Sequence, residues 1–575
     1  MNQHKLYTPQ DFHRASQWQD AKLLHRKMDM ARTRLVLICC SFLLTFLVIA
    51  GRLVDVSLLR GAREGELAHT SALQEPYFRA DIIDRNGEIL ATSLKTCSLY
   101  ANARVVLDAK EAAEKLITIL PELNYKETLH RLHSKKGFVW LARHLTPQKQ
   151  AEVIRLGIPG IYFQQDERRV YPHGELFSHV VGYTDIDNKG LGGIERKFND
   201  QLLSKGEPLC LSLDIRIQHV VRDELLAGIE KYKAQGGAGM VMDVRTGEIL
   251  AMVSAPDFDP NQVGKIGPEK EALFNRITLG TYEMGSGFKI LNTALYLESG
   301  IANIFTTFDV SSPLKVGRFK ITDFHQARHP LTVAEIFTES SNIGAAKMAL
   351  QVGSSVQKAF FEKVGLFRTP SLEIPEIGSP LYPKKWTETT TITAAYGYGI
   401  AVSPLQIVTA VAGIVNKGMM QQPTLLKKDS SKGIGGFRII SEKTSETVCK
   451  LMYTGVAQGR GRKAQVIGYE VGGKSGTANK LAHRSYKKGS NITSFIAVFP
   501  MSNPQYIVLI MLDQPQAIKE TYGFNAAGWN VAPVTGNVIR RIAPLLQVIP
   551  SSERKMQEKI APVLLHVSAR QKGGH

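Results

Sequence analysis

A serine and a lysine three residues apart open the chemistry of this chain: the segment Tyr282-Glu-Met-Gly-Ser-Gly-Phe-Lys289 places Ser286 and Lys289 at the start of a helical pattern. Residues at i and i+3 share one face of a helix, so the amine reaches the hydroxyl. A serine hydroxyl is a weak nucleophile until a neighbouring base takes its proton. A lysine is such a base only where burial or nearby positive charge lowers its pKa. The helix N-terminus adds free N–H groups and partial positive charge beside the serine, which suits a developing oxyanion. The spacing alone is a weak signal, because Ser312/Lys315, Ser355/Lys358, Ser485/Lys488 and Ser552/Lys555 repeat it.

Two later segments strengthen it. Ser340-Ser-Asn342 stands just before the helical run Ile343 to Leu350, so a hydroxyl and an amide project together, Ser340 to pass a proton and Asn342 to pair with a peptide group. A plain helix cap accounts for this triplet taken by itself. Lys474-Ser-Gly-Thr477 follows Gly472-Gly473 in a strand-like stretch. There Gly476 leaves room for a substrate backbone, and Lys474, Ser475 and Thr477 face an incoming carboxylate with one charge and two hydroxyls. A solvated turn explains a lone Lys-Ser-Gly, but not an ordered set of three.

Several elements must position these groups. The pattern GGAGMVMDVRTGEILAMVSAP, from Gly236, reads as a β-hairpin about Arg245-Thr-Gly247; Thr493 to Pro500 and Tyr506 to Pro515 form a further antiparallel pair about Ser502-Asn-Pro504. Helical signals over Phe288 to Leu297 and Val333 to Leu350 lie between the two, so the expected core is an antiparallel sheet covered by helices. From about Arg60 to Ser212 short alternating strands mix with polar helical stretches such as Ala109 to Leu120, the pattern of a mixed α/β module. Within it Arg79 to Gly87 is a strand entering an Asn-Gly turn and Arg168 to Pro172 is a basic strand end; neither carries obvious chemistry.

Ahead of this module, Leu35 to Gly51 is an uncharged apolar run between Arg34 and Arg52, near the lower limit of about 17 residues for a membrane span. Lys5, Arg14, Lys22, Arg26, Lys27, Arg32 and Arg34 precede it. Such an excess of basic residues marks the cytoplasmic side and places the chain beyond the run on the outer side. No small-residue cleavage site succeeds the run, which favours an uncleaved anchor over a signal peptide. The net charge of +19 points to an anionic partner. With no zinc-type cysteine spacing, helix-turn-helix or RNA-binding signature, the membrane is a better partner than nucleic acid. The five cysteines suggest neither a disulfide framework nor a metal site, and read as core or membrane residues.

The order Ser286/Lys289, Ser340-Ser-Asn342, Lys474-Ser-Gly-Thr477 resembles that of penicillin-recognising serine enzymes. The likeness extends through Arg79 to Gly87, Arg168 to Pro172, Gly192-Gly-Ile-Glu195, Leu213-Asp214, Thr246 to Ala251 and Gly397 to Gln406. Over about residues 35 to 545 the chain is similar to a class B penicillin-binding protein, most like the division-specific FtsI type. The resemblance implies an α+β multidomain protein. A cytoplasmic segment (1–34) and a single transmembrane helix (35–51) come first, then an elongated α/β pedestal (52–212), a transpeptidase domain (213–550) and a polar tail (551–575).

It implies a peptidoglycan D,D-transpeptidase of septal wall synthesis in which Ser286 attacks the penultimate D-Ala of a stem peptide and Lys289 is the base. Ser340 would relay a proton, Asn342, Ser475 and Thr477 would position substrate, and the N–H groups of Ser286 and Thr477 would hold the oxyanion. β-Lactams would acylate the same serine; no metal or cofactor is implied. Stem peptides, a separate glycan-polymerising enzyme and other division membrane proteins would be the partners. An elongation-specific enzyme, a β-lactam sensor, a β-lactamase and a noncatalytic scaffold are the alternatives. Met284 and Gly287 stand where the family commonly has proline and threonine.

Overall fold

The computed structural model describes residues 37–53 and 78–551, except 205, 266–269, 318, 430–434 and 483–484. The expected cytoplasmic segment and polar tail lie outside the described residues, as does the start of the expected anchor. Residues 37–53 form a helix, α1, exposed along its length. No helix among the described residues is long and apolar enough to cross a membrane.

The larger unit begins at Phe78. Its first part is a sheet of β1 (Ile82–Ile83), β2 (Ile89–Ala101), β3 (Val139–Leu145), β4 (Ile161–Val170) and β5 (Leu209–Cys210). The long strand β2 pairs antiparallel with β1, β3 and β4, and β5 joins β1 in parallel. Helices α2 (Ala109–Ile119), α3 (Tyr125–His133) and α4 (Pro147–Arg155) bury Leu116, Leu132 and Val153 against Cys97, Leu99 and Leu141. Each has a local start signal: Asp108, Asn124 and Thr146 accept N–H bonds from the first turn, as helix caps do.

The two basic segments of this module converge on one buried carboxylate. Glu195, on the short helix Gly193–Lys197, accepts Nε of Arg79 at 2.6 Å and Nε of Arg169 at 2.7 Å, and all three side chains are essentially inaccessible. Arg79 also donates to the carbonyl oxygens of Asn188 and Glu195 and to Asn199 Oδ1. The sequence shows the two basic strand ends but not their shared partner, which lies 26 residues beyond Arg169.

The second part is built on a five-stranded antiparallel sheet. Its strands are β6 (Gly236–Asp243), β7 (Ile249–Ala255), β8 (Gly472–Ala482), β9 (Ser485–Phe499) and β10 (Tyr506–Asp513), in the order β8-β9-β10-β6-β7. Both expected hairpins form, and β10 against β6 joins the late strands to the early ones. Alternate residues of β10 enter different cores, Val508, Ile510 and Leu512 on one face and Ile507, Leu509 and Met511 on the other. One face is covered by α5 (Ile215–Lys231) and by α11 (Val531–Leu545), near the end of the chain. The other is covered by the helices between the strand groups: α6 (Phe288–Glu298), α7 (Val333–Glu339), α8 (Asn342–Val352), α9 (Pro404–Val415) and α10 (Glu442–Ala457).

The expected single helical stretch Val333 to Leu350 is two helices. Ser340 takes the left-handed conformation (φ 61°, ψ 42°) that ends α7, and Ser341 caps α8 by accepting the Gly344 N–H. Apolar periodicity runs through the break because both helices pack on the same core, so the pattern conceals it. Asp84 ties the two parts together, bonding Asn86 and Glu88 N–H within its own turn and Ile215 N–H at the start of α5.

Glu195→Ala leaves two arginines buried without their shared carboxylate, and a loss of about 3–5 kcal/mol is expected from breaking a buried ion pair. Urea unfolding monitored by fluorescence checks this; a loss below about 1 kcal/mol would show that the cluster is not a stabilising unit.

Candidate active site

Ser286 lies on a single 3-10 turn, Gly285–Gly287, that leads into α6. Two glycines let this turn sit directly on β8. Gly285 has φ +53°, and a Cβ on it would come within 2.6 Å of the Thr477 carbonyl oxygen. A Cβ on Gly476 would lie 2.6 Å from the Met284 carbonyl oxygen and 2.7 Å from Ser494 Oγ. Glycine at 476 therefore makes room for the Ser286 turn. Residues 397–402 hold the turn from another side: Gly399 N–H donates to Glu283 Oε1 at 2.7 Å, and Tyr282 and Val402 exchange backbone hydrogen bonds. Met284 is buried. A Cβ on Gly287 would make only ordinary contact, at 3.5 Å from Ile496, so the glycine there is not sterically required.

The amine of Lys289 is buried, 1% exposed, and surrounded by neutral oxygens. Nζ lies 2.6 Å from the Ser340 carbonyl oxygen, 2.7 Å from Asn342 Oδ1, and 3.2 Å from both Ser286 Oγ and Ser340 Oγ. The two hydroxyls are 3.1 Å apart. Burial holds the Lys289 pKa well below the ordinary lysine value; Lys474 and Arg460 depress it further and Asp323 opposes them. The two shortest contacts are to a carbonyl and an amide oxygen, which only accept. A neutral amine gives them its two N–H groups and keeps its lone pair for a serine hydroxyl.

The break between α7 and α8 makes this arrangement possible, since the left-handed Ser340 turns both its carbonyl oxygen and its hydroxyl toward Lys289. Asp323 holds the break, accepting Asn342 N–H at 2.5 Å, Ile343 N–H at 3.1 Å and Ser341 Oγ–H at 2.6 Å. Within Ser340-Ser-Asn342 the cap is Ser341, while Ser340 and Asn342 face the lysine. Asp323 escaped the sequence reading because it acts from a separate loop, about twenty residues earlier, with no local pattern to mark it.

Lys474 is 4% exposed and lies 5.7 Å from the centre of the Phe337 ring. Burial first, and Arg460 second, bring its pKa down to about 7, with Glu339 opposing. Strand alternation puts residues 474 and 476 on one face of β8 and 475 and 477 on the other, so the lysine does not project beside the two hydroxyls. Ser475 and Thr477 are partly exposed, and Thr477 Oγ1 accepts Ala527 N–H at 3.1 Å, which leaves its own hydrogen to donate. Of the competing Ser-x-x-Lys pairs, Ser312, Lys315 and Ser355 are surface residues.

Asp323→Ala removes the acceptor of two N–H groups and one hydroxyl, and a cost of roughly 2 kcal/mol is expected, with Asp323→Asn recovering part of it through its remaining oxygen. Paired denaturation curves check the order; equal stability of all three proteins would rule out Asp323 as the support of the break.

The chain matches two protein families: the penicillin binding protein transpeptidase domain over residues 237–536 and the penicillin-binding protein dimerisation domain over residues 75–206. It is 38% identical over 488 residues to a Caulobacter vibrioides protein named "Probable peptidoglycan D,D-transpeptidase FtsI", covering 83% of this chain and 82% of that one. It is 28% identical to the peptidoglycan D,D-transpeptidase FtsI of Escherichia coli K12, covering 94% and 96%. A crystal structure of a peptidoglycan synthetase from Bifidobacterium adolescentis, 23% identical, matches with a TM-score of 0.65 over 83% of this chain and 97% of that one, a likeness of fold. The transpeptidase match spans more than half of the 575 residues, and with the 38% identical relative it establishes that this chain belongs to the class B penicillin-binding proteins, as a serine D-Ala-D-Ala transpeptidase of the FtsI type.

Proposed function

We propose that Ser286 is the nucleophile that cross-links peptidoglycan stem peptides at the division septum, with Lys289 as its base. The observation that carries this reading is the contact of the Lys289 amine with Ser286 Oγ in a site whose burial favours the neutral amine. Lys289 takes the Ser286 proton as Oγ adds to the carbonyl carbon of the penultimate D-Ala. The peptide bond to the terminal D-Ala then breaks, and the leaving amine takes up a proton through the Ser340 hydroxyl, 3.1 Å from Ser286 Oγ.

The acyl group stays on Ser286 as an ester until the amine of a neighbouring stem attacks it and forms the cross-link. Asn342, Ser475 and Thr477 position the donor, Lys474 supplies positive charge toward its carboxylate, and the N–H groups of Ser286 and Thr477 face the oxyanion. A β-lactam presents a strained amide to the same groups and stops at the acyl-enzyme.

In this reading residues 35–51 anchor the chain once in the bacterial inner membrane. Residues 1–34 are cytoplasmic, and a pedestal (52–212) carries the transpeptidase domain (213–550) outside the membrane. The basic N-terminal segment and the apolar run support that topology. The names of the two FtsI relatives support the septal role. In this reading a separate enzyme polymerises the glycan.

Labelling with a fluorescent penicillin tests the nucleophile: a covalent band in the wild type and none in Ser286→Ala is expected. A band persisting in the variant would move the chemistry to another serine. Cells carrying only Ser286→Ala should grow as filaments, whereas rounded cells would assign the enzyme to elongation.

The pH dependence derives from the direction of the Lys289 shift. Acylation requires the unprotonated amine, so its rate falls as pH drops through the lowered pKa, at a lower pH than an ordinary lysine would give. Lys289→Arg, which stays charged, should reduce acylation by about 10³-fold at every pH. A residual rate with the wild-type pH profile would rule out Lys289 as the base.

A further inference from the structure

A third cation, Arg460, stands near Lys289 and Lys474, and none of the catalytic roles above uses it. After α10 ends at Ala457 the chain reverses through Gly459 and Gly461, whose N–H groups donate to the Thr454 and Gly455 carbonyl oxygens. A Cβ on Gly459 would lie 2.8 Å from the Gly455 oxygen and 3.0 Å from the Thr338 oxygen, so the reversal is seated on the end of α7. A Cβ on Gly528 would come within 2.8 Å of the Arg460 carbonyl oxygen, which places a second loop against the same residue. The backbone of Arg460 is therefore held on two sides. Its guanidinium lies 5.7 Å from the centre of the Phe324 ring, next to the Asp323 that supports Ser340 to Asn342, and the residue is half-buried.

Charge around these three groups is unbalanced. Among the described residues Lys289, Lys474 and Arg460 form no ion pair, although they lie close enough to act on one another. Glu339 and Asp323 are the opposing charges nearby; Asp323 is already engaged by two N–H groups and a hydroxyl. A half-buried guanidinium without a counter-ion is costly unless an anion meets it. Its planar fork is suited to a carboxylate, and a rigid backbone keeps it in place before the ligand arrives.

We propose that Arg460 is a specificity-determining residue that binds a carboxylate of the acyl donor at the mouth of the cleft. This rests on the assignment of Ser286 as the nucleophile. The carboxylate is either the C-terminal one, shared with Lys474, or a side-chain carboxylate further along the donor peptide. Both are the same chemistry to a guanidinium, and paired ligands separate them.

Second-order acylation rates would be measured on the detergent-solubilised full chain with benzylpenicillin, with carbenicillin, which adds a side-chain carboxylate, and with benzylpenicillin carrying a carboxamide in place of its ring carboxylate. Losing one charge-assisted contact in Arg460→Gln should cost about ten-fold for the ligand whose carboxylate Arg460 reads. A loss for carbenicillin relative to benzylpenicillin assigns the side-chain carboxylate. A loss for benzylpenicillin with the carboxamide unchanged assigns the terminal one. Arg460→Lys should keep the same preference at reduced strength. Equal loss for all three ligands, or no loss, would overturn the inference and leave Arg460 as a loop support stacked on Phe324, with the Ser286 assignment intact. A wild type that none of the three acylates would overturn that assignment and this inference with it.

Discussion

The site depends on a buried lysine amine that has no ion-pair partner among the described residues. A carboxylate at hydrogen-bond distance would hold Lys289 protonated. The protein surrounds it instead with neutral oxygens from Ser286, Ser340 and Asn342. One of these is a backbone carbonyl of a residue in the left-handed conformation, so the division of α7 from α8 is part of the site. Asp323 makes that division tolerable by bonding the N–H groups the second helix would leave unmet, and it does so from outside the ion-pair distance of the lysine.

Close approach of backbone to backbone is the second requirement. The turn bearing Ser286 rests on β8 because residues 285 and 476 have no side chains at the contact. This fixes Ser286 relative to the strand whose Ser475 and Thr477 are partly exposed. The strand belongs to a sheet that joins β6 and β7 to strands more than two hundred residues later. Three short segments far apart in the chain thus become neighbours through one sheet and the helices on its inner face.

Buried charge is handled in opposite ways in the two parts of the unit. In the first part Glu195 answers two arginines and joins three stretches of chain. In the second part, Lys289, Lys474 and Arg460 have no ion-pair partner among the described residues. Burial there pulls the two lysines toward neutrality, with Lys474 brought down to about 7. The first arrangement holds the fold together, whereas the second gives up stability for groups ready to exchange a proton or meet an anion.

The sequence by itself determined which hydroxyl, amine and amide groups the structure brings together at Lys289, because they cluster in short ordered segments. It also determined the hairpins and most helix starts, because turn residues, caps and alternation are local. The tertiary structure alone decided the break at Ser340, the reason for glycine at 476, the face of β8 from which Lys474 acts, and the partners Asp323, Glu195 and Arg460. Each of these depends on atoms brought within a few ångströms from distant parts of the chain. Apolar periodicity reports only that a residue faces a core, not which backbone or charge it meets there.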